Sequence, residues 1–306
     1  MTMAPRVQTG VRVRVPAKVN LQLAVGAPRS DGYHALATVY QAVSLFDTVE
    51  ATPAEDWELT IGGRTAAGVP QDETNLAIRA ARLLGEATGT DRAVHLRITK
   101  EIPVAGGMAG GSADAAGALL ACNRLWALDL STAELASLAA RLGSDIPFLV
   151  TGGTALGTGR GERVVPVLTR GTYHWVFALS GTGLSTPEVY AECDRLRGAQ
   201  AGPAPEVDPR LLAALASGDP HALAGTLRND LTRAAVSLQP RLREVLDAGE
   251  AYGALAGAVS GSGPTLAFLA ADAEAAIDLA VSLAASGAAD DVRKATGPVT
   301  SAFAEP

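Results

Sequence analysis

Between Pro103 and Ala116 the chain reads Pro-Val-Ala-Gly-Gly-Met-Ala-Gly-Gly-Ser-Ala-Asp-Ala-Ala. Four glycines (Gly106, Gly107, Gly110 and Gly111) fall within six positions, followed by an Ala- and Leu-rich segment of helical character that begins near Ser112. Glycine admits positive φ and lets backbone amides approach a ligand closely. A helix that follows such a loop aims its unpaired N–H groups, and the positive end of its dipole, at whatever anion lies there. Ser112 can cap that helix, donate to a phosphate or face Mg²⁺. A plain turn ahead of an Ala-rich helix needs fewer glycines, so the spacing points to phosphate binding. Two familiar phosphate loops are excluded. No Lys-Ser or Lys-Thr follows the glycines, as the G-x-x-x-x-G-K-[ST] loop requires. The G-x-G-x-x-G spacing is absent, with no acidic residue placed to close a nucleotide-binding βαβ unit.

The elements around the loop are legible from periodicity. Upstream, Val94, Leu96 and Ile98 alternate with His95, Arg97 and Thr99, a strand pattern. Val11 to Val15 alternate with arginines, and after Pro16 the run AKVNLQLAV is again β-rich, ended by the turn cluster from Gly26 to Gly32. The segment from Thr74 to Gly85 carries Leu76, Ile78, Ala80, Leu83 and Leu84 at helical spacing, with Thr74 or Asn75 as cap. Beyond the loop come a helix over Thr132–Leu142, the block GSDIPFLV and the loop GGTALGTGRGE. In the second half, HWVFALS reads as a strand and GAQAGPAPEVDP as a surface linker. Helices are expected around 209–216, 222–231, 241–252 and 273–285, and GAVSGSGPTLAFLA as a Gly-rich turn between strands.

At 306 residues with 48% hydrophobic and 19% charged residues, the chain suits two folded domains. Aromatics at 4% leave Ala, Val and Leu to fill the interior. The net charge of −7 argues against general binding to nucleic acid or to an anionic membrane. Cys122 and Cys193 are too few for a disulfide scaffold, and the four histidines show no ligand spacing. No signal-peptide core or membrane-length apolar run stands out, so a cytoplasmic protein is expected.

The glycine loop resembles that of the GHMP kinases, in which backbone amides and a long helix replace the loop lysine. Further blocks agree with that family in order: Pro16-Ala-Lys-Val-Asn-Leu21, Asp31-Gly-Tyr-His34 followed by Thr38, Val39 and Gln41, Gly143-Ser-Asp-Ile-Pro-Phe148, Gly157-Thr-Gly-Arg-Gly-Glu162 and Ser260-Gly-Ser-Gly-Pro-Thr265. Together they resemble the GHMP kinases that act on 4-diphosphocytidyl-2-C-methyl-D-erythritol. The resemblance implies an α+β fold in two domains. Residues 1–165 would be similar to ribosomal-protein S5 domain 2 and residues 166–306 ferredoxin-like, with the active site in the cleft between them. It also implies ATP and Mg²⁺, this cytidylyl small molecule as partner rather than nucleic acid or membrane, and a monomer or homodimer.

Residue by residue, the resemblance implies that Asp145 accepts the proton of the substrate's 2-hydroxyl. Lys18, against Asp145 and that hydroxyl, would stabilise the developing charge. Taken singly, Asp145 could equally be a turn or helix cap and Lys18 a solvated strand residue; the glycine loop beside them favours catalysis. ATP would lie on Pro103, Val104, Ala105, Gly106, Gly107, Met108, Ala109, Gly110, Gly111, Ser112 and Ala113, with Asn75 and Lys100 near the adenosine. For Lys100 a solvated strand end is the alternative. Asn20, Tyr33, His34 and Tyr190 would hold the cytidylyl substrate, the aromatics by stacking; half-buried packing and a turn role are their alternatives. Arg160 and Glu162 read as a turn-stabilising pair, with Arg160 also able to reach a phosphate. The turn at Gly261–Gly263 either closes over the substrate or is simply a tight hairpin. The loop departs from the family's Ser-Ser-Asn: Ala113 lacks a hydroxyl, and Asp114 is expected to face Mg²⁺ or solvent. The metal's protein ligands are left unassigned. Two rivals remain. One is a homoserine- or mevalonate-type GHMP kinase, which Asp31-Gly-Tyr-His34 argues against. The other is a silent RNA-binding module, which the acidic charge and the retained Lys18 and Asp145 argue against.

Overall fold

The computed structural model describes residues 10–104, 106–198 and 204–304. Ala105 and residues 199–203 of the expected linker therefore lie outside the described residues. The chain opens with two long antiparallel strands, β1 (Val11–Pro28) and β2 (His34–Pro53). In the first arm of β1 the arginines face solvent and the valines face the core; from Pro16 to Gly26 every residue is buried. The two β-rich runs on either side of Pro16 form one continuous strand. Pro16 keeps its place opposite Phe46, and the register shifts just after it, where Ser44 and Leu45 of β2 are the extra residues.

The first half continues with β3 (Glu58–Gly63), α1 (Leu76–Thr88), β4 (Val94–Lys100), α2 (Gly110–Leu125), α3 (Thr132–Ala139), α4 (Ile146–Thr151), β5 (Thr154–Gly159) and β6 (Arg163–Pro166). Asn75 caps α1 through its side chain, accepting from the Ala77 N–H, and Gly89 ends that helix in the left-handed conformation. The Ala-rich α2 lies close on the sheet. A Cβ at Gly117 would come within 2.6 Å of Val49, so the small residues are what let backbone approach strand.

The second half carries β7 (Tyr173–Leu179), α5 (Thr186–Arg197), α6 (Pro209–Ser217), α7 (Pro220–Ala224), β8 (Arg228–Asn229), α8 (Thr232–Leu238), α9 (Arg241–Ala251), β9 (Ala256–Val259), β10 (Leu266–Ala270), α10 (Ala273–Ser286), β11 (Asp291–Gly297) and β12 (Ala302–Ala304). Its sheet, ordered β11-β7-β10-β9, is antiparallel throughout and has the strand order of a ferredoxin-like βαββαβ unit. The larger sheet runs β12-β1-β2-β4-β3, with β5 on β2, β6 on β5 and β8 parallel to β1. The chain thus crosses between sheets after Pro166, yet β8 and β12 return to the first one. One apolar core joins β1 and β2 to Trp175 and Phe177 of β7, and the buried Trp175 indole donates to Gln41 across the junction (2.9 Å). No helix among the described residues is long and apolar enough to cross a membrane.

Candidate active site

The glycine loop is held by its backbone. The Lys18 N–H donates to the Met108 carbonyl (3.3 Å), and Met108 buries its side chain completely. From the other sheet, the Ser260 hydroxyl donates to the Gly107 carbonyl (3.1 Å). Gly107 has φ +74°, and a Cβ there would collide with the Ser260 carbonyl, so only glycine lets the two turns close on each other. The Ser260–Thr265 turn is itself pinned by Asn229 of β8, whose amide donates to the carbonyls of Val259 and Gly261 (2.7 Å each). It is the hairpin connection between β9 and β10, and its Gly261 and Ser262 line the cleft.

Helix α2 starts at Gly110, two residues before the expected position, because Ala109 takes the left-handed conformation (φ 62°) at its N-cap. No side chain caps it. Ser112 sits inside the first turn and lines the cleft instead. The first-turn amides of a 16-residue helix are left facing open space, which is the electrostatic arrangement an oligophosphate needs.

Beneath the loop lies a buried charge cluster that corrects two expectations. Lys100 is 1% exposed. It is neither solvated nor turned to the cleft: its ammonium donates to Asp47, to Asp114 (2.7 Å) and to the Gly110 carbonyl (3.1 Å). Asp114 accordingly faces neither metal nor solvent. Asp47 accepts the N–H groups of Glu101 (2.6 Å) and Ile102 (2.9 Å) and so fixes the end of β4. Asn75 also serves structure: its amide caps α1 and donates to the Pro70 carbonyl (2.7 Å), while its neighbour Leu76 lines the cleft.

Burial pushes the Asp114 carboxyl up to about 8; the Lys100 ammonium pulls it down and the Asp47 carboxylate adds to the rise. The native state therefore holds this proton longer than the unfolded chain, where an Asp titrates near 3.9. Stability attributable to the group should fall as pH climbs from about 4 towards 8. Asp114→Asn, a neutral isostere that keeps an oxygen for Lys100, should flatten that fall, read as denaturant midpoints between pH 5 and 9.

Lys18 is 3% exposed and projects from β1 beneath the mouth of the loop. It donates to Asn20 Oδ1 (2.7 Å). The Asn20 amide is oriented by a relay: its Nδ2 donates to the Thr38 hydroxyl (2.8 Å), which donates to the Gln22 carbonyl (2.7 Å), leaving Oδ1 for the lysine. Burial lowers the proton affinity of Lys18 and the charge of Asp145 works against it. Asp145 occupies the N-cap position of α4 yet makes no capping bond. Its carboxylate instead accepts from the Tyr40 hydroxyl (3.1 Å) and lines the cleft with Lys18. Burial, then the Asp145 charge and hydrogen bond, hold the Tyr40 proton in place, so Tyr40 is a fixed donor. Tyr40 stacks on Phe148 of α4 (centroids 4.8 Å apart).

The far wall of the same cleft, whose volume is 720 Å³, is aromatic. His34 Nε2 lies 3.1 Å from both Asp194 oxygens, and its ring is tilted over Tyr190 of α5 (5.0 Å). Tyr33 is 52% exposed, and the Arg160 guanidinium lies 4.8 Å from its ring centroid. The cleft thus brings together Lys18, Asn20, Tyr33, His34, Asp145, Tyr190 and, from the loop, Pro103, Gly106, Gly107, Ala109, Gly110, Gly111 and Ser112. Val104 points outward, and Met108 and Ala113 are buried beneath the loop. The expected Arg160–Glu162 pair takes another form: the Glu162 carboxylate accepts the Arg160 backbone N–H (2.6 Å), leaving the guanidinium elsewhere. Sequence reasoning missed Asp47, Asn229, Asp194 and Tyr40. Of these only Asp47 left a signal, as a carboxylate within an apolar strand.

The GHMP kinases N terminal domain model matches residues 75–153, and the GHMP kinases C terminal model matches 211–289. The chain is 56% identical to the 4-diphosphocytidyl-2-C-methyl-D-erythritol kinase of Streptomyces avermitilis over 95% of its own length and 98% of that protein. It is 57% identical to the enzyme of the same name from Streptomyces coelicolor, with the same coverage. With that of Mycolicibacterium smegmatis it shares 54% identity over 100% of this chain and 96% of that one. A crystal structure of 4-(cytidine 5'-diphospho)-2C-methyl-D-erythritol kinase superposes with a TM-score of 0.74 at 33% identity, covering 93% of this chain and 98% of that one. A homoserine kinase from Cytophaga hutchinsonii gives 0.77 at 16% identity, covering 99% of this chain and 100% of that one, and so shares the fold. With family models matched in both halves and relatives more than half identical along nearly the whole length, the chain belongs to the GHMP kinases, in the branch of the 4-diphosphocytidyl-2-C-methyl-D-erythritol kinases.

Proposed function

We propose that this chain transfers the γ-phosphoryl group of ATP to the 2-hydroxyl of 4-diphosphocytidyl-2-C-methyl-D-erythritol, releasing ADP and the 2-phosphate, in non-mevalonate isoprenoid precursor biosynthesis. The observation that carries this is a single cleft lined by an uncapped helix start, a lysine and a carboxylate, and an aromatic wall. The amides of Gly110, Gly111 and Ser112 receive the nucleotide phosphates. The substrate's 2-hydroxyl oxygen attacks the γ-phosphorus and its proton passes to Asp145, while the bond to the ADP oxygen breaks. Lys18, oriented by Asn20, supplies positive charge to the transferring group. Tyr40 holds the carboxylate in place through its hydroxyl.

The donor set near the loop fits Mg²⁺ held mainly by phosphate and water: the Ser112 hydroxyl faces the cleft, whereas Asp114 is consumed by Lys100. Bound there, the metal would neutralise charge on the β- and γ-phosphate oxygens. Both cysteines are free and buried, which suits the reducing cytoplasm.

An assay of ADP release from ATP, run in parallel with the cytidylyl substrate, homoserine and mevalonate, tests the reading. ADP should appear with the first alone; turnover of homoserine or mevalonate in its place would refute it. Tyr33→Ala should raise KM for the cytidylyl substrate by roughly tenfold or more, because base stacking contributes about 1–3 kcal/mol. Its kcat and its KM for ATP should stay within twofold, and an unchanged substrate KM would remove Tyr33 from the base site.

A further inference from the structure

Two cations line the cleft, Lys18 and Arg160. Lys18 is committed to Asn20 and to the reacting end. The Arg160 guanidinium has no carboxylate within 4.0 Å among the described residues, because Glu162, its sequence neighbour, binds the Arg160 backbone N–H instead. An arginine remains charged at any working pH, and its planar fork matches phosphate oxygens two at a time.

Its location is informative. Arg160 stands in the turn between β5 and β6. A Cβ on the next residue, Gly161, would run into the Tyr40 hydroxyl and lie 3.9 Å from Ser144, so the backbone here sits beside the Asp145 site. The side chain reaches back from that point to the face of Tyr33, 4.8 Å from the ring centroid. Arg160 therefore spans the interval between the phosphoryl-transfer end and the aromatic wall. A cytidylyl polyol ester has its diphosphate in that same interval, between base and reacting hydroxyl.

We propose that Arg160 grips the diphosphate of the substrate, with the Tyr33 ring as the shelf that holds the guanidinium in place beforehand. This assignment rests on the substrate reading above. It makes Arg160 a determinant of specificity for nucleoside-diphosphate esters over uncharged or singly charged alcohols.

The test measures steady-state kinetics of Arg160→Met and Arg160→Lys, together with competitive inhibition by CDP and by cytidine. In Arg160→Met, KM for the cytidylyl substrate should rise about 10- to 100-fold, with kcat and KM for ATP within twofold. Inhibition by CDP should weaken in parallel while inhibition by cytidine does not. Arg160→Lys, which keeps the charge but not the fork, should recover part of the loss and serves as the folding control. Equal weakening of CDP and cytidine would make Arg160 only a prop for Tyr33 and overturn the proposal, as would an unchanged KM. If the wild-type protein itself fails to turn over the cytidylyl substrate, the functional reading fails instead, so the two failures are distinguishable.

Discussion

Asp145→Asn should lower kcat by about 10²–10⁴-fold, the usual contribution of a positioned general base, with KM for ATP nearly unchanged. Among the described residues lining the Lys18 end of the cleft, Asp145 carries the one carboxylate, and its geometry is set by groups that the substitution leaves intact. The Tyr40 hydroxyl can still donate to the amide oxygen, and α4 does not depend on the side chain for capping. The thermal midpoint should therefore hold while turnover collapses. A variant with kcat within tenfold of wild type would place the proton acceptor elsewhere.

Lys18→Met should lower kcat by about 10²–10³-fold, the scale observed on removal of one preorganised donor to transition-state charge. The substitution keeps length and apolar bulk but removes an ammonium that is 3% exposed. Burial already weakens that ammonium's hold on its proton, so the charge is held at an energetic cost to the fold. The thermal midpoint of Lys18→Met should consequently not drop, even though the Asn20 oxygen loses its donor. Lost activity with undiminished stability would mark Lys18 as retained for chemistry. A large loss of stability would show it to be part of the framework.

The parts of the site that follow from local chain chemistry were legible before any coordinates. Clustered glycines ahead of a helix imply exposed amides, and Asn75 before an apolar periodic run implies a cap. The misread residues concern where a charge points. Lys100 was expected at a solvated strand end or an adenosine pocket, yet it continues the parity of Val94, Leu96 and Ile98, which face inward. Asp47 likewise shares a face with Val49 and Ala51. Alternation alone would place both inside; a charge is assigned inward only when its counter-charge is known, and the partners of Lys100 come from a strand 53 residues back and from the helix that follows the glycine loop. Asp114 and Gly110, four residues apart on α2, present one face to Lys100, so the cluster needs strand, strand and helix assembled together. Asn229 and Asp194 were invisible for the same reason: their partners, the 260s turn and His34, are distant in sequence. The ferredoxin-like order was implied by the family resemblance rather than by periodicity, and the helix expected over 222–231 is instead divided among α7, β8 and α8. The helices near 209–216, 241–252 and 273–285 carried clear periodic signals. The return of β8 and β12 to the first sheet did not, because two- and three-residue strands are too short to show a period.

The central claim is that bare amides at the start of α2 seat the nucleotide's phosphates within reach of Lys18 and Asp145. A crystal structure of the protein with a non-hydrolysable ATP analogue and the cytidylyl substrate tests it most directly. The expected result is a triphosphate on Gly110, Gly111 and Ser112, with the 2-hydroxyl within hydrogen-bond distance of Asp145 and the base against Tyr33 and His34. A triphosphate bound away from α2, or a hydroxyl out of reach of Asp145 with both ligands in place, would contradict it.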